Sequence, residues 1–207
     1  MRRAATKKAP RQLRRLSPED RRRQLLGVAA RLLTEQGATR LQFTELATAA
    51  GVSRPVIYRF FPTRQALLSA VLDDFVTELS RRFFEAAARS RMGSLDKITA
   101  AFVNAVCDTI EDKGAGAWHL LGSGGADAEA AQLGRAALDR IVEPWLPAIA
   151  ERTHAQPRQV RNLSVMLVAA GRAVLELWYA GSLSRHEAEL DATRGVSALL
   201  KAFTRAK

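Results

Sequence analysis

The chain has 207 residues, 47% hydrophobic and 26% charged, a balance that excludes a disordered or collagen-like polymer and suits one compact domain or two small ones. Its 32 lysines and arginines outnumber 21 acids by eleven, and the whole excess lies in residues 1–64, where fifteen bases face only Glu19, Asp20, Glu35 and Glu45. The first third therefore calls for an anionic partner, with nucleic acid the first candidate and an acidic membrane surface the second. No apolar run is long enough for a membrane span, no apolar stretch follows the basic start as a secretory signal requires, and Cys107 has no second cysteine to pair with; a cytoplasmic protein is expected.

Residues 1–16 hold seven bases and no acid and are expected to form a mobile basic arm. Ser17-Pro18-Glu19-Asp20 then opens a helix: the serine caps free amides, proline suits the first helical position, and two acids face the positive end of the dipole. Leu25, Val28, Ala29, Leu32 and Leu33 make its apolar face, and Gly37 ends it. After a short link, Leu41 to Phe43, Thr44 is expected to cap a second helix of about six residues reaching Gly51. Ser53 should cap a third, which must stop before Pro62. Thr63 opens a long fourth helix with Leu67, Leu68, Val71, Leu72, Phe75, Val76 and Leu79 in register.

The rest also reads as helical. Ser94 caps a segment carrying Ile98, Ala101, Phe102, Ala105, Val106 and Ile110, closed by Gly114. The stretch from Gly114 to Gly125 is rich in glycine, read as flexible helix ends, around the short apolar piece Trp118 to Leu121. A long helix from about Asp127 to Thr153 should kink or break at Pro144 and Pro147. Pro157 begins another, to about Ala180, and Ser184-x-x-Glu187 is a capping box for the last, to about Arg205. No alternating pattern or hairpin signal occurs, so the expected fold is all-α with about nine helices.

The pair of short helices joined through Gly51-Val52-Ser53 is a helix-turn-helix candidate. Glycine tolerates the positive φ of such a turn, and Ala47, Ala50 and Val52 are small enough for close packing. In the third helix Ile57, Phe60 and Phe61 fall on one side and should pack inward. Arg54, Pro55, Tyr58 and Arg59 fall on the other, the kind of face that enters a major groove: arginine bridges two guanine acceptors and a tyrosine hydroxyl reaches a phosphate.

Over about residues 21–75 the chain resembles the N-terminal domain of the TetR (tetracycline repressor-like) family of bacterial transcription regulators. The resemblance is carried by Ala29-Ala30-x-Leu32-Leu33, Gly37, Phe43, Thr44, Leu46 and Ala47, then Ala50-Gly51-Val52-Ser53, Ile57 through Arg64, and Leu67-Leu68. It implies a phosphate contact for Thr44, contacts with bases or adjacent backbone for Ser53, Arg54, Pro55 and Val56, and a phosphate contact for Tyr58. Arg64 stands where the family usually has lysine and would also hold a phosphate. Phe60 departs from the pattern, since a histidine or tyrosine commonly meets DNA there; Arg59 or the basic arm is left to compensate. The implied organisation is an arm at 1–16, a DNA-binding domain at 17–62 and a helical effector-binding and dimerisation domain at 63–207.

In that larger part the resemblance implies a pocket for a small, largely apolar effector, with Phe102, Val106, Trp118, Trp145 and Met166 as its candidate wall, few charges lying among them. Ala169, Ala170, Gly171 and Ala173 form a small-residue patch, and Val196, Leu199, Leu200 and Phe203 give the last helix an apolar stripe. Family members dimerise through their last two long helices, so a homodimer on an inverted-repeat operator is expected, most simply a repressor. His119, His154 and His186 lack metal-ligand spacing, the glycines around 114–125 follow no strand and precede no Gly-Lys-Ser/Thr, and no nucleophile, histidine and acid stand in the context of a triad. Neither a metal, a cofactor nor an enzyme activity is expected. The competing reading is a helical interaction protein whose basic arm binds a membrane surface, without sequence-specific DNA binding.

Overall fold

A computed structural model of the chain describes residues 16–89, 94–122 and 127–205, and every structural statement below concerns these residues. The expected arm at 1–16 thus lies, but for Leu16, outside the described residues. They form ten α-helices and no strand: α1 (Pro18–Gln36), α2 (Phe43–Ala50), α3 (Arg54–Phe60), α4 (Arg64–Arg89), α5 (Leu95–Lys113), α6 (Gly116–Leu121), α7 (Ala128–Val142), α8 (Leu146–Thr153), α9 (Pro157–Tyr179) and α10 (Arg185–Arg205). With the kinked α7 and α8 taken together, the number is nine.

Local chemistry sets most of these ends. The Ser17 hydroxyl accepts the Asp20 amide at 3.0 Å and Ser94 accepts that of Lys97 at 3.3 Å. Ser184 and Glu187 close the capping box that starts α10, and Gln156 and Gln159 form a second one, not anticipated, at the start of α9. The Thr63 hydroxyl accepts the Ala66 amide at 3.0 Å, so α4 begins at Arg64. Pro144 breaks the α7–α8 segment through a 3₁₀ turn, Glu143–Trp145. The link before α2 is also a 3₁₀ turn, Ala38–Arg40.

Two caps differ from expectation. Helix α2 starts at Phe43, not after a Thr44 cap: Phe43 is drawn into the core, which winds the first turn one residue earlier and leaves Thr44 as its exposed second residue. Ser53 does occupy the N-cap of α3 with extended backbone, but its side chain makes no capping bond.

The helices pack around one continuous apolar cluster, from Leu25 in α1 to Ala192 in α10. Helix α1 buries a wider face than its periodicity announced, because Leu26 and Ala30 are covered as well as Leu25, Ala29, Leu32 and Leu33. Helix α4 places Leu67, Leu68, Val71, Leu72, Phe75, Leu79 and Phe83 at the centre, with α1, α5, α6 and α7 against it. Helix α10 covers α5 through the fully buried Ala188 and Ala192, while Arg185 at its start binds Asp108 and Glu111 of α5.

The short α6 sits between α1 and α7 with a glycine at each contact. A Cβ on Gly116 would lie 2.4 Å from the Ala30 carbonyl oxygen, and one on Gly134 of α7 would lie 2.0 Å from that of Leu120. Gly116 is therefore a packing glycine and not a flexible end, which corrects that expectation; Gly114, with φ of 80°, does end α5.

Candidate functional site

The turn between α2 and α3 rests on Gly51, which is left-handed at φ 64° and ψ 37°. Its geometry lets the Val52 amide reach back to the Ala47 carbonyl at 3.0 Å, closing α2. Gln24 of α1 donates to the Ala50 carbonyl at 3.4 Å, so α1 also helps satisfy that end. Helix α3 then divides as its spacing predicts: Ile57 and Phe61 are buried and Phe60 is half-buried, while Arg54, Pro55, Tyr58 and Arg59 are exposed and Val56 is half-buried.

The exposed side chains support one another. The Tyr58 ring meets the Phe43 ring edge-on at 5.0 Å, which fixes α2 against α3 and leaves the phenol 46% exposed. The Arg54 guanidinium donates to the Tyr58 hydroxyl at 3.4 Å. Arg59 lies over the Phe60 ring at 5.2 Å, so the phenylalanine that departs from the family pattern supports an arginine, and Arg22 of α1 lies over Phe61 at 5.4 Å. Thr44 stands at the start of α2, where first-turn amides lack helical acceptors, with its carbonyl taking the Thr48 hydroxyl at 3.0 Å. Thr44, Ser53, Arg54, Pro55, Tyr58 and Arg59 are thus exposed residues of one two-helix unit. Phe43 and Gln24, which brace that unit, were not foreseen in these roles, because pairing across helices leaves no local pattern.

Arg64 does not join this group. It is turned to the other side of the junction, where it donates to the Ala38 carbonyl and to Asp127 at 2.5 Å each and to Glu129 at 3.0 Å. Asp127 is also the N-cap of α7, accepting the Ala130 amide at 3.0 Å. That amide and the Arg64 guanidinium hold the Asp127 carboxyl below its usual range, against the opposing effect of burial. The residue expected to hold a phosphate is therefore a link between the start of α4 and the start of α7.

A second feature lies in the body of the molecule. A cavity of about 560 Å³ opens among α5, α7, α8, α9 and α10, with the end of α6 at its inner wall. Of the five residues expected to form it, Phe102, Val106, Trp118 and Trp145 do so. Phe83, Phe102 and Trp145 make an edge-to-face cluster, with centroids 4.7 Å apart for Phe83 and Trp145 and 5.8 Å for Phe83 and Phe102. Met166 corrects the expectation: it is exposed and does not line the cavity, because Val165, Val168, Ala169 and Arg172 occupy the face of α9 that does. Ile98, Leu138 and Ile141 were missed, since nothing in their own helices separates a cavity wall from ordinary core.

The wall is apolar apart from a few groups. Arg172 donates to Glu176 at 2.8 Å one turn along α9, leaving no net charge there. Thr153 and Ser164 donate their hydroxyls to the carbonyls of Ile149 and Arg161. The stripe expected to form a dimer face is also redistributed: Val196 and Leu200 line the cavity and Leu199 and Phe203 are half-buried, whereas the exposed apolar side chains on the outer helices include Met166, Leu177, Tyr179 and Leu190. Burial pushes the His119 imidazole below its ordinary range, and its ring stands edge-on to Tyr179 at 5.4 Å. Among the described residues, no group of three or more His, Cys, Asp or Glu is placed to hold a metal ion, and no helix is long and apolar enough to cross a membrane.

Comparison with known proteins bears on the two-helix unit and on the fold. Residues 25–71 match the profile described as bacterial regulatory proteins, tetR family. The HTH-type transcriptional regulator EthR of Mycolicibacterium smegmatis is 33% identical over 69 residues, which are 33% of this chain and 32% of that protein. The HTH-type transcriptional activator FasR of the same organism is 35% identical over 97 residues, 47% of this chain and 43% of its own. These curated relatives are thus matched over less than half of their length. Two solved structures extend the likeness of fold to nearly the whole chain. A TetR-like transcriptional regulator from Rhodococcus sp. RHA1 has a TM-score of 0.68 at 16% identity, over 93% of this chain and 100% of that one. A putative TetR-family regulator from Syntrophomonas wolfei has a TM-score of 0.75 at 14% identity, over 92% and 100%.

Proposed function

We propose that the chain, whose residues 25–71 match the model of the tetR family of bacterial regulatory proteins, is a transcriptional regulator that binds an inverted-repeat DNA operator as a homodimer and is released from it by a small, largely apolar effector. Residues 17–62 are the DNA-reading unit and residues 63–207 the sensing and dimerising one. The observation that carries the reading is the exposed Arg54, Tyr58 and Arg59 face on a helix that follows the left-handed Gly51 turn. Arginine on such a helix reads guanine edges, and Tyr58, Thr44 and Ser53 position the helix on the backbone.

The cavity supports the sensing role, because an apolar space of this size is that of a small-molecule site. Met166, Leu177, Tyr179 and Leu190, exposed apolar side chains of the outer helices, support pairing of two copies through α9 and α10. Two-fold symmetry then places the reading helices about 34–36 Å apart or somewhat more, hence the inverted repeat. An effector among α5 to α10 acts on the reading unit through α6, which meets α1, and through the start of α7, which holds Arg64. The effector lowers operator affinity by as much as it prefers the conformation that does not fit DNA.

Sequencing of random DNA fragments retained by the purified protein tests the whole reading. An enriched inverted repeat that shifts in a gel as a complex of two chains supports it. Retention of acidic liposomes with no enriched sequence overturns it in favour of a membrane-surface protein.

A further inference from the structure

The helix-turn-helix unit has a groove that its two short helices do not make alone. About 400 Å³ in volume, it lies between the start of α1, which contributes Leu16, Pro18 and Arg21, and the turn and face of α3 that contribute Val52, Val56 and Arg59. Among the described residues, none of those that line it is acidic. Arg21 is half-buried, and its Nη1 donates to the Gln24 side-chain oxygen at 2.5 Å, while Gln24 in turn donates to the Ala50 carbonyl. The guanidinium is thereby tied to the end of α2, and with five N–H groups it keeps donors to spare. Neither Arg21 nor Arg59 is paired with an acid among the described residues. Arg23, two residues along α1, differs: it binds Asp20 at 3.0 Å and lines a separate depression with Val71 and Asp74 of α4. Two unpaired cations beside one groove repel each other in the free chain and together attract an anion.

Resting on the reading of residues 17–62 as the DNA-binding unit, we propose that this groove seats a stretch of DNA sugar–phosphate backbone, and that Arg21 of α1 is a positioning residue that donates to one of its phosphates. The class of occupant follows from the lining. Leu16, Val52 and Val56 suit the carbon face of a deoxyribose, and the unpaired guanidinium suits the phosphate beside it. The groove is continuous with the exposed face of α3, since Ser53 and Arg59 border it as well as belonging to that face. Residues 1–16 hold seven bases and no acid, so the segment that leads into the groove has the wrong charge to fill it. A phosphate held by Arg21 carries no sequence information. Through Gln24 it fixes the duplex against the end of α2, and so sets the depth and register at which Arg54 and Arg59 meet the bases.

The test compares the full native chain with Arg21→Gln, Arg21→Lys and Arg23→Gln, on the duplex enriched from random fragments and on vesicles of phosphatidylglycerol. Arg21→Gln and Arg23→Gln remove the same charge from the same helix, so the pair separates a placed contact from bulk charge. Arg21→Gln should weaken the duplex about tenfold for each copy of the chain bound, and lower the slope of log affinity against log salt by about 0.9 per copy. The preferred sequence should not change, Arg21→Lys should recover most of the loss, and Arg23→Gln should alter affinity less than twofold. In the native chain, one methylphosphonate linkage, which is neutral, should reproduce the loss at a single backbone position, and Arg21→Gln should be indifferent to it. That measurement decides the question even if a variant folds poorly. Equal weakening by Arg21→Gln and Arg23→Gln, or none by Arg21→Gln, overturns the groove contact while leaving the DNA-binding reading intact. Relaxed preference at one base pair in Arg21→Gln overturns the backbone role. Retention of the vesicles with no duplex bound by the native chain overturns both this inference and the reading on which it rests.

Discussion

Tyr58 has two attachments within the protein, the Phe43 ring on one side and the Arg54 guanidinium on the other. Removing only its hydroxyl keeps the first and breaks the second. Tyr58→Phe should therefore leave the fold unchanged and weaken all operators by a similar factor, since a phosphate contact positions without reading sequence. Arg54→Ala and Arg59→Ala should each cost about 1–3 kcal/mol of binding and relax preference at one base pair, as measured on a panel of operator variants. The effects of Arg54→Ala and Tyr58→Phe should not add, because the two side chains share a bond. Cys107 offers a check on the core: it is fully buried, and burial pushes its thiol up to about 12. It should resist iodoacetamide at pH 8 in the native protein and react once urea unfolds the chain. The exposed face of Arg54, Tyr58 and Arg59 was legible in the sequence because sidedness within one helix depends only on spacing. The fate of Arg64 was not, because its acidic partners lie 63 and 65 residues away and nothing local points to them.

Among the helices, α4 carries an ion network in which Glu78 meets Arg81 and Arg82, while Arg82 also reaches Asp112 of α5. The Arg81 hydrogen bond, opposed by burial and aided by Arg82, lowers the Glu78 carboxyl from about 4.5 to about 2. A carboxyl depressed in the folded state adds stability that is fully present above its unfolded value and lost as pH falls through the folded one. Glu78→Gln should accordingly lower the urea midpoint at pH 6, by about 1 kcal/mol in stability for a network whose Arg81 side chain is half exposed. The difference from the native protein should shrink between pH 4.5 and 2. The packing glycines give a contrasting test. Gly116→Ala and Gly134→Ala insert a methyl into backbone and should each cost about 1–3 kcal/mol, read as a fall of several degrees in Tm. Gly27→Ala, in the exposed middle of α1 with open space around its Cβ, should raise stability by up to about 1 kcal/mol. Caps at Ser17, Ser94 and Ser184 and the break at Pro144 were readable because each is settled within a turn of chain. A helix crossing such as α1 on α6 is chosen by distant surfaces, so Gly116 looked like any other glycine in a loop.

For the molecule as a whole, the dimer proposed through α9 and α10 puts Leu177 and Leu190 in an interface. Leu177→Glu should yield monomers in sedimentation and weaken operator binding at least tenfold, because two half-sites are then no longer held by one particle. A monomer of undiminished affinity would remove the dimer from the mechanism. The continuous apolar cluster described above has a thermodynamic consequence. The buried face of α1 is completed by α4 and α6 as well as by α2, so residues 17–62 have no separate interior to melt from. Heating should produce one cooperative heat-absorption peak, with calorimetric and van't Hoff enthalpies in agreement for the folding unit. Residues 17–62 expressed alone should show little helical circular dichroism. The helices around the cavity and the helix-turn-helix unit would then melt as one body, and a ligand that raises the melting temperature of the first raises that of the second by the same number of degrees.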